Sequence, residues 1–211
     1  ALGQRGALID LRSLVSAPID AWEVRQAAIE ALTRVASGVA ESRPDTVRAV
    51  NTLLASRAVN DPSLRVRAAA IEGLGTLKTD EYEGVIRNAL TTESQSDILR
   101  QAALRALVSL GAADAGDVLA LYASPGYDGR TRSVAIELMP RVAAGNQDRV
   151  LAALTERARD AEARPSRAAA AALVRLGDPR AADTFRSLAQ SARTAEIRAQ
   201  YERWLAELEA K

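Results

Sequence analysis

The 211-residue chain carries 28 basic against 27 acidic residues, a net charge of +1, and contains neither histidine nor cysteine. Without those two side chains the usual zinc ligand sets, a Ser-His-Asp triad, a histidine general base and a thiolate nucleophile are excluded, and the neutral balance sets up no field toward nucleic acid or an anionic membrane. Hydrophobic residues make up 48% of the chain but aromatic ones only 3%, and the dominance of Ala, Leu and Val makes an all-α protein the expectation.

The chain opens ALGQRGALIDLRSLVSA, where residues 4–16 read as a helix with no predecessor. A shift of 174 lays residues 2–17 over 176–191, matching Leu2 to Leu176, Gly3 to Gly177, Ala7 to Ala181 and Arg12-Ser13-Leu14 to Arg186-Ser187-Leu188. The expectation is a chain that begins inside a repeat, leaves Leu8, Leu11 and Val15 short of partner surface, and is the C-terminal piece of a longer polypeptide. Beyond it, EVRQAAIEAL, RVRAAAIEGL, ILRQAALRAL, RTRSVAIELM and EIRAQYERWL recur, each with an arginine near its start. These are Arg25, Arg67, Arg100, Arg132 and Arg198; PSRAAAAALV with Arg167 is a sixth, irregular copy, in which Ser166 matches the arginine position. Successive separations of 42, 33, 32, 35 and 31 residues are the period of a solenoid.

Apolar or small residues fall one position before each arginine and three, seven and ten after it, as in Val24, Ala28, Leu32 and Val35 or Val66, Ala70, Leu74 and Leu77. The stripe continues through Leu99, Thr131 and Ile197 in the later copies, and its steps of four, four and three keep it on one helix face. A second stripe through Ile29, Ile71, Leu104 and Ile136 makes these helices apolar on two sides, so they should lie between neighbours. Shorter amphipathic stretches follow each copy: TVRAVNTLLASRAV, YEGVIRNAL, GDVLALYA, DRVLAALTERA and ADTFRSLAQSA. Asp61-Pro62 and Asp178-Pro179 place an N-cap before a proline at the first helical position, Asp20 with Glu23 has capping-box spacing, and Pro140 should kink its helix. The predicted architecture is an all-α superhelix of about five helical pairs: a partial repeat over 1–17, repeats over 20–60, 61–96, 97–126, 127–160 and 161–193, and a capping helix over 194–211. On that last helix Glu202, Arg203, Glu207 and Glu209 replace the second stripe, as a water-facing end requires.

DPSLRVRAAAIEGLG (61–75) and VRLGDPRAADTFRSL (174–188) resemble the bacterial HEAT-like repeat, D-P-x-x-R-V-R-x-A-A-x-x-x-L-G. The resemblance covers nearly the whole chain and implies a helical repeat module serving protein interaction. EVRQAAIEAL, SLRVRAAAIEGLGTL, SDILRQAALRALVSLG, GYDGRTRSVAIELM and RLGDPRAADTFRSLAQ are also similar to the C-terminal HEAT-like domain of bacterial aminopeptidase N-like zinc metallopeptidases. That similarity implies an upstream catalytic domain with H-E-x-x-H, and for this chain a non-catalytic role in packing on that domain and helping to enclose its peptide-binding cavity. No catalytic, metal or cofactor residue carries over. The expected partner is a protein, either the upstream domain or another chain, with no nucleic acid and no membrane span. A free-standing adaptor, a DNA-binding protein of the alkylation-repair type and a bilin lyase subunit remain alternatives.

Four features admit more than one role. The repeat arginines Arg25, Arg67, Arg100, Arg132 and Arg198 either line a face for acidic partners or pair within the chain, with Glu30, Glu72 or Glu137 as candidate partners. Asp80, Glu81 and Glu83 around Tyr82 suit helix capping better than a metal. Gly73 and Gly75 thin a helix for close packing. Trp22, Tyr122, Tyr127 and Arg130 are the candidate partner contacts, the last three in the loop YASPGYDGRTR (122–132); Tyr201 and Trp204 are expected to pack within the array.

Overall fold

The stripes of Ala, Leu, Ile and Val produce helices and little else. A computed structural model describes residues 13–16 and 21–210, and within them eleven α-helices follow one another: α1 (Trp22–Gly38), α2 (Pro44–Asn60), α3 (Leu64–Thr76), α4 (Glu83–Thr91), α5 (Ile98–Leu110), α6 (Ala115–Tyr122), α7 (Gly129–Leu138), α8 (Gln147–Arg157), α9 (Ala163–Leu176), α10 (Ala182–Gln190) and α11 (Ala195–Glu209). Short 3₁₀ turns join several of them. No helix among the described residues is long and apolar enough to cross a membrane.

Two compact units divide the chain, Ala1–Ala113 and Asp114–Lys211. In the first, α1 packs on α3 and α3 on α5, while α2 and α4 lie against α3 and α5; in the second, α7 packs on α9, α8 lies against α9, and α10 packs on α11. Contact with the next helix and the next but one is how an α-solenoid buries its core, since no single helical pair covers its own apolar face. The second stripe supplies that core: Ile29, Ile71, Leu104 and Ile136 are buried to within 1% of their surface, each contributing about 2–3 kcal/mol. In the first stripe Val66, Leu99 and Thr131 are buried, whereas Val24 and Ile197 are each 43% exposed, because the first and last copies face only one described neighbour along the row.

Several expected helix ends differ. Asp61 closes α2, and α3 starts at Leu64 after Ser63, so Pro62 stands in the joining turn rather than at the first helical position. Asp178 does accept the N–H of Arg180, with Pro179 opening a 3₁₀ turn. Pro140 ends α7 at Leu138 and converts the chain to 3₁₀ over Met139–Val142: lacking an N–H, it cannot continue the ladder. Asp80 and Glu81 sit in a 3₁₀ turn with no side-chain capping bond; Glu83 instead holds Arg87 at 2.6 Å. Residues 2–12 and 17 of the overlay, Leu8 and Leu11 among them, and the Asp20 side of the capping box lie outside the described residues. Val15, expected to lack partner surface, is fully buried, and the Ser16 hydroxyl accepts a bond from Arg57 at 3.2 Å, which places α2 beside it.

Gly75 sits where α3 approaches α5 closely. A Cβ there would lie 2.4 Å from the Ala106 carbonyl oxygen and 2.5 Å from Ala106 Cα, and one on Gly73 would lie 2.7 Å from Thr33 Oγ1. Gly75 lets α3 meet α5 almost backbone to backbone, while Gly73 makes room for the side chains of Thr33 and Leu54. Gly75→Ala is expected to cost about 1–3 kcal/mol or more in urea denaturation, because the obstacle is main chain. Gly84→Ala, where nothing lies within 4 Å, should be neutral or stabilise by up to about 1 kcal/mol.

Candidate functional site

Every α-helix ends in carbonyls without intrahelical partners, and a cation near that end is stabilised by the helix dipole. The repeat arginines meet this need. Arg67 Nε donates to the carbonyl of Ala58 at 2.9 Å, Arg100 Nε to Leu90 at 2.7 Å, and Arg132 Nε to Ala123 at 3.3 Å. These acceptors lie at the ends of α2, α4 and α6 respectively. In the irregular copy the Ser166 hydroxyl donates to Ala158, at the end of α8, at 2.8 Å. Arg167, one residue on, is exposed and reaches only the Ala163 carbonyl of its own helix. Ser166 therefore stands in for the arginine.

A second arm ties some of these groups to aspartate. Arg25 forks onto Asp61 with two bonds of 3.0 Å, and the two side chains are 2% and 0% exposed. Arg132 binds Glu162 at 2.8 Å and Asp160 through its other terminal nitrogen. Arg100 holds Asp97 at 2.5 Å. Asp61 and Asp160 also accept the N–H two residues ahead, from Ser63 and Glu162 at 2.9 and 3.0 Å. One aspartate thus shapes the turn entering a first helix and receives the arginine of the preceding repeat. Arg198 is exposed on α11.

These partners are not the glutamates named from sequence. Glu72 instead takes Arg105 of α5 at 3.3 Å, Glu30 accepts from Gln26 at 2.9 Å, and the Glu137 carbonyl receives Arg175 at 3.4 Å. The residues missed were Asp61, Asp97, Asp160 and Glu162. Their signal was an aspartate recurring three to six positions before the arginine position, in Asp61, Asp97, Asp128 and Asp160. Burial raises the Glu72 carboxyl above its ordinary range against the pull of Arg105, with Glu30 adding a smaller push upward. Asp178 is held down at about 2, chiefly by the side-chain bonds from Arg180, with a further bond from Gln147.

The candidate contacts fare unequally. Tyr122 is 7% exposed and its ring lies 4.7 Å from that of Tyr127, so Tyr122 is covered by its own loop and offers no contact surface. Tyr127 is half-buried and Arg130 exposed. Trp22 is half-buried, with the Arg65 guanidinium 5.2 Å from its ring centroid. Tyr201, Trp204 and Phe185 form an aromatic cluster with centroids 6.0–6.4 Å apart. An open depression of about 750 Å³ lies beside the α8–α9 turn, lined by Pro125, Arg132, Thr155, Arg159 and Glu162 among others. No group of three or more His, Cys, Asp or Glu that could hold a metal ion occurs among the described residues.

Stacked helical pairs joined by a recurring arginine make this chain an α-solenoid, and two stretches of it are similar to HEAT-like repeats. The family of HEAT repeats matches residues 51–140, and that of the PBS lyase HEAT-like repeat matches residues 167–191. Among solved structures, an engineered protein known from its crystal structure shares the fold with a TM-score of 0.54 and 17% identity over 96% of each chain. Comparison with curated proteins finds no match.

Arg132→Ala strands a buried aspartate and a helix-end carbonyl, and is expected to lose about 3–5 kcal/mol in urea denaturation. Ser166→Ala should lose about 1 kcal/mol, and exposed Arg198→Ala less than about 0.5 kcal/mol. Because the Asp178 carboxyl is depressed in the fold, its contribution is complete above the unfolded value of about 4 and is lost as pH falls toward about 2. An Asp178→Asn variant should show a shallower loss of melting temperature across that window.

Proposed function

We propose that this chain is a protein-interaction module without catalysis of its own, whose recurring polar groups serve the array while exposed helix faces serve the partner. The observation that supports this is the use of Arg25, Arg67, Arg100 and Arg132. Their nitrogens bind helix ends and junction carboxylates rather than forming a ladder for phosphate, which disfavours the alkylation-repair alternative. The finer reading is architectural: the chain packs on the catalytic domain of a longer polypeptide such as a zinc aminopeptidase. It rests on the five sequence segments that resemble the C-terminal domain of those enzymes, and a reading frame encoding H-E-x-x-H upstream of Ala1 is its test.

For the module itself, a complex of fixed stoichiometry with one identified protein is expected when both are purified and mixed, followed by calorimetry. Duplex DNA binding of equal or greater affinity at physiological salt, with no protein complex, would overturn the reading.

A further inference from the structure

The outer face of α9 is basic, and the two ends of α7 beside it each carry an exposed arginine. Residues 163–176, ARPSRAAAAALVRL, contain three arginines and no acidic residue. Arg164, Arg167 and Arg175 are all exposed, and steps of three, four and four through Ala171 put them on one stripe. The stripe is about 16 Å long at 1.5 Å per residue.

The neighbouring helix extends it. The starts of α7 and α9 adjoin, since a Cβ on Gly129 would lie 2.7 Å from Glu162 Oε2 and 4.0 Å from Pro165 Cδ. Farther along, Arg175 reaches the Glu137 carbonyl at 3.4 Å. The two helices therefore run side by side in the same direction. Arg130 is exposed at the start of α7 and Arg141 in the turn that ends it, with Glu137 the one exposed acid on that helix. Across the two helices and the residues that flank them, five exposed arginines stand against three exposed acids, Asp128, Glu137 and Glu162, in a chain whose total charge is +1.

We propose that this two-helix basic face docks a short acidic protein segment, an inference that rests on the interaction-module reading. Guanidinium forks match carboxylates in pairs, and a planar fork loses less freedom on binding than a lysine ammonium. The small Ala171 between Arg167 and Arg175 leaves room for backbone to lie close. A patch of this length suits a few carboxylates.

The test uses the full chain and a fluorescein-labelled octaglutamate peptide followed by anisotropy. Binding is expected to weaken as salt rises, and at least tenfold in Arg164→Gln/Arg167→Gln/Arg175→Gln. Arg186→Gln, at an arginine already held by Asp183 and Glu209 at 2.6 and 2.7 Å, should leave it unchanged. Thermal melting of the triple variant must match the parent, which glutamine as a good helix former allows. The proposal is overturned by no binding to the parent, by equal binding to the triple variant, or by tighter binding of oligothymidylate of matched charge. A protein complex that persists unchanged in the triple variant removes this inference and leaves the module reading intact. Absence of any protein complex, with peptide binding present, removes the module reading instead.

Discussion

One guanidinium group, placed where one helix ends and the next repeat begins, organises this protein. A helix terminus buried between repeats leaves carbonyl oxygens with no water to satisfy them, and such groups are costly when unpaired. Arg67, Arg100 and Arg132 each donate Nε to such an oxygen. In Arg132 the remaining nitrogens engage Asp160 and Glu162. Without the carboxylates the buried charge would be uncompensated; without the arginine, helix end and aspartate would both be stranded. The junction is polar but satisfied, which lets the surrounding core remain almost entirely Ala, Leu, Ile and Val.

The helical pairs and their period were legible because they depend on spacing alone. The stripes through Ile29, Ile71, Leu104 and Ile136 locate the core before any coordinates are known, and Ser166 could be matched to the arginine position from the register of Leu173 and Leu176. The structure gives that match a chemical meaning, since a hydroxyl can donate one bond to Ala158 but cannot also fork onto a carboxylate. The acidic partners were harder to read. Glutamates on the same helices recur as regularly as the aspartates, and periodicity does not say which carboxylate the folded turn brings within reach. Pro140 shows the same limit: its missing N–H guarantees a disturbance, while the choice between a kink and a change to 3₁₀ belongs to the packing around Met139 and Val142.

Surface function was the least legible part. Tyr122, Tyr127 and Arg130 lie close in sequence, yet the loop folds so that one tyrosine covers the other. The basic face of α9 is plain in the sequence as a run without acids, but its extension onto α7 depends on the two helices lying side by side. Neighbourhood across repeats is a property of stacking.

The contact between Gly75 and the Ala106 main chain bears on mechanics. Side chains can change rotamer to let two helices slide, but main chain meeting main chain has no such compliance. In the first unit, α3 and α5 therefore behave as a riveted pair, and bending must be taken up in the turns that join their second helices. Lengthening those turns would alter the reach of the exposed face without shifting the seam, so partner preference can diversify while the spine keeps its register.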